Sequence, residues 1–158
     1  MKRMFAAALL LMMLAMPALA VGIGGAGWWD DGYDGAMQTI GDSGLSLKVP
    51  EGWRMSYPDG DLSFDDPEGT IHLRIVAVED NFYGYVERFM DGSEGNYIDS
   101  AAMALKEGRD WFVGAAAGRF EAYCAAPEGG TLGFLFTLPD TEADFVKARR
   151  IISSVTAW

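Results

Sequence analysis

Apolar positions recur along this chain at two spacings, and the places where the spacing changes divide it into elements. Leu45, Leu47 and Val49 alternate with Ser46 and Lys48, the period of a half-buried strand. Pro50-Glu51-Gly52-Trp53 closes it with a turn, because Pro fixes φ and Gly frees the following position. Leu62 and Phe64 predict a short second strand, ended by Asp66-Pro67-Glu68-Gly69. Ile71, Leu73, Ile75 and Ala77 then share one face of the clearest strand, with His72 and Arg74 on the other. From Asn81 the period lengthens. Phe82, Tyr85, Val86, Phe89 and Met90 fall at i, i+3, i+4, i+7 and i+8, which predicts an amphipathic helix capped by Asp80 or Asn81. Ile98, Ala101, Ala102 and Leu105 predict a second helix, stopped by Gly108. Trp111 to Val113, Phe120 to Ala125 and Thr131 to Leu138 read as strands, the last with Leu132, Phe134, Phe136 and Leu138 on one face. Pro139-Asp140-Thr141 opens a terminal helix over 140–155, its acids early and Lys147, Arg149 and Arg150 late, in agreement with the helix dipole. Its apolar stripe, Phe145, Ala148, Ile152 and Val155, is expected to lie on the strand of Phe134 and Phe136.

Strands grouped in runs with short turns predict an α+β fold, an antiparallel sheet with helices packed on its faces, rather than alternating βαβ units. Two segments lie before it. Residues 1–20 begin with Lys2 and Arg3, continue as an apolar run from Phe5 to Met16, and end in Ala18-Leu19-Ala20. That is the pattern of a cleaved secretory signal peptide; about twelve apolar residues are fewer than the roughly twenty a permanent membrane helix requires. Residues 21–43 form a Gly-rich lead-in whose backbone entropy opposes regular structure without outside support. It holds Trp28-Trp29-Asp30-Asp31-Gly32-Tyr33, a tether with aromatics, and Trp28, Trp29 and Tyr33 are the candidate partner-binding residues. Residues 44–158 form a single domain.

Charge narrows the functions further. The whole chain carries −11, and loss of Lys2 and Arg3 with the leader makes it two units more negative, −13. Nucleic acid and anionic lipid surfaces are excluded as partners on that ground. Cys124 is the only cysteine, so an exported domain of this size relies on packing rather than disulfides. Its parity with Phe120 and Ala122 makes it a buried apolar thiol.

Motifs that carry chemistry are few. Gly22-Ile23-Gly24-Gly25-Ala26-Gly27 has dinucleotide-loop spacing but lacks the strand before it and the helix after it that would place N–H groups on a pyrophosphate. No cofactor is expected. Gly41-Asp42-Ser43-Gly44 is similar to the nucleophile motif of chymotrypsin-like proteases and to the opening block of GDSL esterases. Both chemistries need a histidine base on the serine, and the sole histidine is His72. Asp59, Asp61, Ser63, Asp65, Asp66 and Glu68 crowd oxygen donors into ten residues, but Gly60 and the strand-spaced Leu62 and Phe64 break the calcium-loop pattern. The expected arrangement is the solvated faces of a hairpin, and no metal ligand set is assigned.

Leu45 to Trp53, Phe64 to Gly69, the strand from Ile71 to Val78, and the helix ending Arg150-Ile151-Ile152-Ser153-Ser154-Val155 together resemble the PsbP/Mog1-like superfamily over residues 44–158. The resemblance implies an antiparallel sheet sandwiched by helices. It also implies a largely non-enzymatic class acting through binding, with no functional residues to carry over. The expected function is a small exported non-enzymatic binding or accessory protein of the cell envelope, periplasmic or extracellular, its partner an envelope protein or small ligand. The alternatives are a hydrolase using Ser43 or a carboxylate pair such as Asp65 and Glu121, and a calcium-dependent module through the Asp59–Glu68 hairpin.

Overall fold

The computed structural model describes residues 34–78, 80–91 and 100–157. Ten strands and two α-helices follow one another along them. Strands β1 (Ala36–Thr39) and β2 (Leu45–Val49) form a hairpin, and β3 (Arg54–Ser56), β4 (Leu62–Asp65) and β5 (His72–Val78) a meander. Helix α1 (Phe82–Met90) precedes β6 (Ser100–Lys106), β7 (Arg109–Ala116), β8 (Arg119–Ala125) and β9 (Thr131–Thr137). Helix α2 (Glu142–Ser153) and the short β10 (Thr156–Ala157) finish the fold. One sheet has the order β3-β4-β5-β9-β8-β7-β6, the other β1-β2-β10. Every pairing is antiparallel, so the architecture is α+β.

Register fixes what each face of the large sheet carries, because residues paired across an antiparallel ladder point the same way. Phe64 pairs with Leu73, Leu73 with Phe136, and Phe136 with Phe120. That face is apolar over its central strands, with Lys106 and Arg109 at the end of the β6–β7 pair. Over it lie the small sheet, through Leu45, Leu47 and Val49, and α2, through Ala148, Ile151 and Ile152, all in one buried core. The opposite face is divided. At one end α1 sets Tyr85 and Phe89 on Phe112 and Tyr123, with Tyr85–Tyr123 and Phe89–Phe112 ring centroids 4.9 and 5.0 Å apart. The other end has no element over it among the described residues.

Both helices start as their sequences dictate. Asn81 Oδ1 accepts the Gly84 N–H at 3.0 Å, and Thr141 Oγ1 accepts the Asp144 N–H at 3.2 Å; each satisfies a donor that the helix itself leaves unpaired. Helix α2 differs from its prediction in two respects. Ile151 joins Ala148 and Ile152 in the core that Phe134 and Phe136 share, and the helix ends at Ser153, so Val155 enters that core from beyond it. Phe145 reaches β8 edge-on, 6.5 Å from Phe120.

Of the helix expected on Ile98, Ala101, Ala102 and Leu105, Ile98 lies outside the described residues and the rest is strand β6. Its residues suit a helix by propensity, but the ladder with β7 runs from Ser100–Ala115 to Lys106–Arg109. The hairpin turn between them is Glu107-Gly108, both with positive φ, 51° and 73°. Two left-handed residues in a two-residue loop match the twist of antiparallel strands, so Gly108 turns a hairpin instead of ending a helix. Residues 36–39 of the Gly-rich lead-in also form a strand, supported by β2 from Ala36–Val49 to Thr39–Ser46. Ala77, expected inside, is exposed: β4 stops opposite Ile75, so Ala77 has a strand neighbour on one side only.

Candidate functional site

Where α1 ends its cover, the outer face of the large sheet carries polar rows. Pairing across the ladder aligns Arg54, Asp65, His72, Thr137 and Arg119 in one row. The next row is Ser56, Ser63, Arg74, Leu135 and Glu121. Between them opens a cleft of about 560 Å³, bounded on the β3 side by Pro58. The polar alternation of β4, β5 and β8 puts these groups there. It is the same alternation that buries Phe64, Leu73 and Phe120 on the other side.

Each charge in the cleft has a partner. His72 Nδ1 lies 2.5 Å from Asp65 Oδ1. Arg74 donates from Nε to Asp61 Oδ2 at 2.8 Å and again from its terminal nitrogen. Glu121 is the deepest group, its side chain 4% exposed against 43% for Arg119. One of its oxygens accepts from Arg119 at 2.5 Å and the other from the Tyr123 hydroxyl at 2.8 Å. Burial, with hydrogen bonding to Tyr85 and the neighbouring Glu121 charge, raises the Tyr123 phenol far above its ordinary pKa, so it stays protonated and donates. A buried carboxylate bonded on both oxygens is a fixed mount for Arg119. The guanidinium has five N–H donors, and the one shown in use goes to Glu121.

The residues singled out in the sequence fall in different places. Ser43 lies in the β1–β2 turn, where its Oγ accepts the Leu45 N–H at 3.2 Å. His72 stands on the outward face of the other sheet, bonded to Asp65, so the serine and the base are not brought together. Asp65 and Glu121 do line one cleft. They stand on β4 and β8, three strands apart, about 14 Å at the usual strand spacing. Paired carboxylates in glycoside hydrolysis stand about 5–9.5 Å apart.

The acids of the Asp59–Glu68 hairpin point to separate partners. Asp61 takes Arg74 and Asp65 takes His72. Asp66 accepts the Thr70 and Ile71 N–H groups at 2.6 and 2.9 Å and the Thr70 hydroxyl at 2.8 Å. Burial pushes the Asp66 pKa up, but these hydrogen bonds outweigh it and hold the carboxyl below its ordinary value. Among the described residues no group of three or more His, Cys, Asp or Glu side chains converges as metal ligands. Cys124 is fully buried, and burial pushes its thiol up to about 12 against the opposing pull of Arg109. Trp28, Trp29 and Tyr33 lie outside the described residues.

Sequence reasoning missed Arg119 and Tyr123 as site residues. The signal was present in Arg119-Phe120-Glu121-Ala122-Tyr123, whose polar and apolar positions alternate, but only pairing with β9 reveals which polar row it joins.

Fold and cleft together define an α+β protein whose described elements bury most of one face of the large sheet and cover the other in part. Comparison with known protein families and with curated proteins finds no match. Among solved structures, the chain is similar to a protein from Bacteroides thetaiotaomicron VPI-5482, with a TM-score of 0.48 and 20% identity. The match covers 80% of this chain and 49% of that one, so the chain spans about half the length of its neighbour.

Proposed function

We propose that this chain is a small exported member of the PsbP/Mog1-like superfamily, acting in the cell envelope as a non-enzymatic binding or accessory protein. The observation that carries the binding reading is the cleft on the half of the large sheet's outer face that no described element covers. A sheet face left open beside a helix that covers its other half is a concave seat, and such seats with convergent polar groups are where ligands bind. The absence of a serine–histidine contact and the separation of Asp65 from Glu121 favour binding over hydrolysis. Helices on opposite faces of an antiparallel sheet agree with the superfamily resemblance, as do the Pro50–Trp53 and Asp66–Gly69 turns. The leader pattern at 1–20 supports export. No helix among the described residues is long and apolar enough to cross a membrane. Trp28, Trp29 and Tyr33 are proposed as a second contact with a partner.

Hydrogen exchange tests this reading. Edge strand β3 is exposed along its whole length, as is the Pro58–Gly60 turn, and such backbone exchanges from the low-stability end of the range. Adding an envelope extract from the host to the exported chain should slow exchange in 54–61. Unchanged exchange there, or turnover of ester or glycoside substrates that Ser43→Ala or Glu121→Gln abolishes, would overturn it.

A further inference from the structure

Four Asp-Gly pairs occur in the chain, at 31–32, 34–35, 59–60 and 91–92. Such a pair is prone to rearrange, because glycine has no Cβ to shield its amide nitrogen from the carboxyl of the residue before it. The attack requires the peptide between the two residues to rotate toward the Asp side chain, so what holds the backbone decides which pair reacts. The first pair lies outside the described residues. The other three are held very differently.

Gly35 packs on β2, where an added Cβ would stand 2.6 Å from the Val49 carbonyl oxygen. Asp91 caps α1, and its N–H bonds back to the Glu87 and Phe89 carbonyls. Rotation at either place disrupts packing or a helix end. Asp59 and Gly60 sit instead in the exposed turn between β3 and β4. A Cβ on Gly60 would meet nothing within 4 Å. The Gly60 N–H donates to Tyr57 O at 3.4 Å, the long limit of a hydrogen bond. The Asp59 carboxylate bonds to no other described residue. Asp59 also has φ 55° and ψ 20°, the left-handed region, where the clash of Cβ with the following carbonyl penalises an L residue.

We infer that Asp59 is a self-modification site, at which the chain converts to isoaspartate without an enzyme or cofactor. The Gly60 amide nitrogen attacks Cγ of the protonated Asp59 carboxyl. An N–Cγ bond forms, and the carboxyl hydroxyl leaves with the amide proton as water, giving a five-membered succinimide. Water then adds to the former main-chain carbonyl and breaks its bond to the Gly60 nitrogen, leaving the chain connected through Cγ. Nothing is oxidised or reduced, and water is the co-reactant. Cβ now belongs to the main chain, so the clash that penalised Asp59 is gone. The extra main-chain atom falls inside the turn that the Asp61 N–H closes on Pro58 O at 3.0 Å. Asp61 is the residue that holds Arg74, so isomerisation loosens the rim of the cleft as the protein ages.

The test is to age the purified chain for several weeks in warm, mildly acidic buffer. Isoaspartate at each site is read by peptide mass spectrometry and by labelling with an isoaspartyl methyltransferase. Asp59 should accumulate at least about fivefold more than Asp34 or Asp91, the factor that one net backbone hydrogen bond supplies. In urea, where the three backbones are equally free, that difference should vanish. Asp59→Glu should remove the signal, because a six-membered ring closes far more slowly. Asp59→Asn should form the same ring faster, with ammonia leaving in place of water. Both changes fall at an exposed side chain, so the variants keep the fold. Hydrogen exchange at Asp61 should be faster in the separated isoaspartyl form than in the fresh chain. The inference is overturned if Asp59 carries no more isoaspartate than Asp34 or Asp91 in the folded chain, or if its lead persists in urea. An Asp59→Asn variant that keeps its ammonia, or unchanged exchange at Asp61, also overturns it.

Discussion

Gly133 sits on β9 where the covered and open halves of the outer face meet, and Gly133→Ala should be among the most damaging single-methyl additions to this fold. Its pair on β8 is Tyr123, whose ring atoms Cδ1 and Cε1 come closest to the glycine. A Cβ at 133 would stand 2.8 Å from Tyr123 Cε1, 3.0 Å from Cδ1 and 3.1 Å from Val76 Cγ2, distances that require something to move. The φ of Gly133 is not in the left-handed region, so backbone strain contributes nothing and the clash is the whole effect. Tyr123 has nowhere to retreat: it is 2% exposed, stacked against Tyr85, Phe89 and Phe112, and tied to Glu121 by its hydroxyl. Overpacking a close-packed site costs about 1–3 kcal/mol, with the upper part expected because the obstructing ring is held at both ends. A urea melt gives the value. The double variant Gly133→Ala/Tyr123→Leu removes the obstructing ring edge, so the alanine should cost less than about 0.5 kcal/mol in that background, a coupling that double-mutant cycles resolve. An alanine cost below 0.5 kcal/mol in the parent, or the same cost in both backgrounds, would refute the close approach of Tyr123 to β9.

Other outcomes follow from single contacts. Asp66→Asn should cost about 1–3 kcal/mol at pH 7 by weakening three hydrogen bonds to a buried group. Because the folded pKa of Asp66 lies below its ordinary 3.8, its contribution is complete above about pH 4 and is lost as pH falls through the lowered value; acid melts of the variant should lack that part of the slope. Ile152→Ala should destabilise by about 2–5 kcal/mol, since Ile152 is fully buried on the inner face of α2. Lys147→Ala, at an exposed pair with Asp144, should cost less than about 0.5 kcal/mol, and equal effects in denaturant would mean that α2 is not docked. Cys124 should resist thiol labelling at pH 8 in the folded chain and react once unfolded, as a buried thiol held near 12 requires; labelling at a free-thiol rate in the native state would count against its burial.

Much of the fold was legible because the central strands of one sheet face are apolar at every second residue. Leu73, Ile75, Phe120, Phe134 and Phe136 follow a period of two that no polar residue breaks. The helices announced themselves through Asn81 and Thr141 ahead of their apolar stripes. Strand β6 was hidden because Ala and Leu satisfy a helical and a strand period equally over seven residues; the decision lay in the positive φ of Glu107, which a non-glycine residue does not advertise. Strand β3 has no apolar alternation at all, being exposed at Arg54, Met55 and Ser56. The cleft was less legible than the fold. Asp65, His72, Arg74 and Glu121 each appeared as outward polar residues. Their convergence depends on β9 inserting between β5 and β8, a pairing between segments about sixty residues apart.

That insertion also decides where a site can be. With β9 central, the longest ladders of the large sheet are β5–β9, β9–β8, β8–β7 and β7–β6, and the outer face over them is far wider than one nine-residue helix. A helix of that length covers about 13 Å along its axis, whereas seven strands span about 29 Å between the outermost axes. The residues under α1 are Phe112, Tyr123 and the partly buried Met103 and Leu135, and the residues beyond it are charged. The sequence therefore changes character along single strands: β8 carries Arg119 and Glu121 on the open half and Tyr123 beneath the helix. Glu121 stands at the boundary, bonded to Arg119 on one side and to Tyr123 on the other. A change in how α1 sits on Tyr123 would reach the Arg119 guanidinium through one carboxylate, so the apolar packing of α1 is the support on which the cleft's geometry depends.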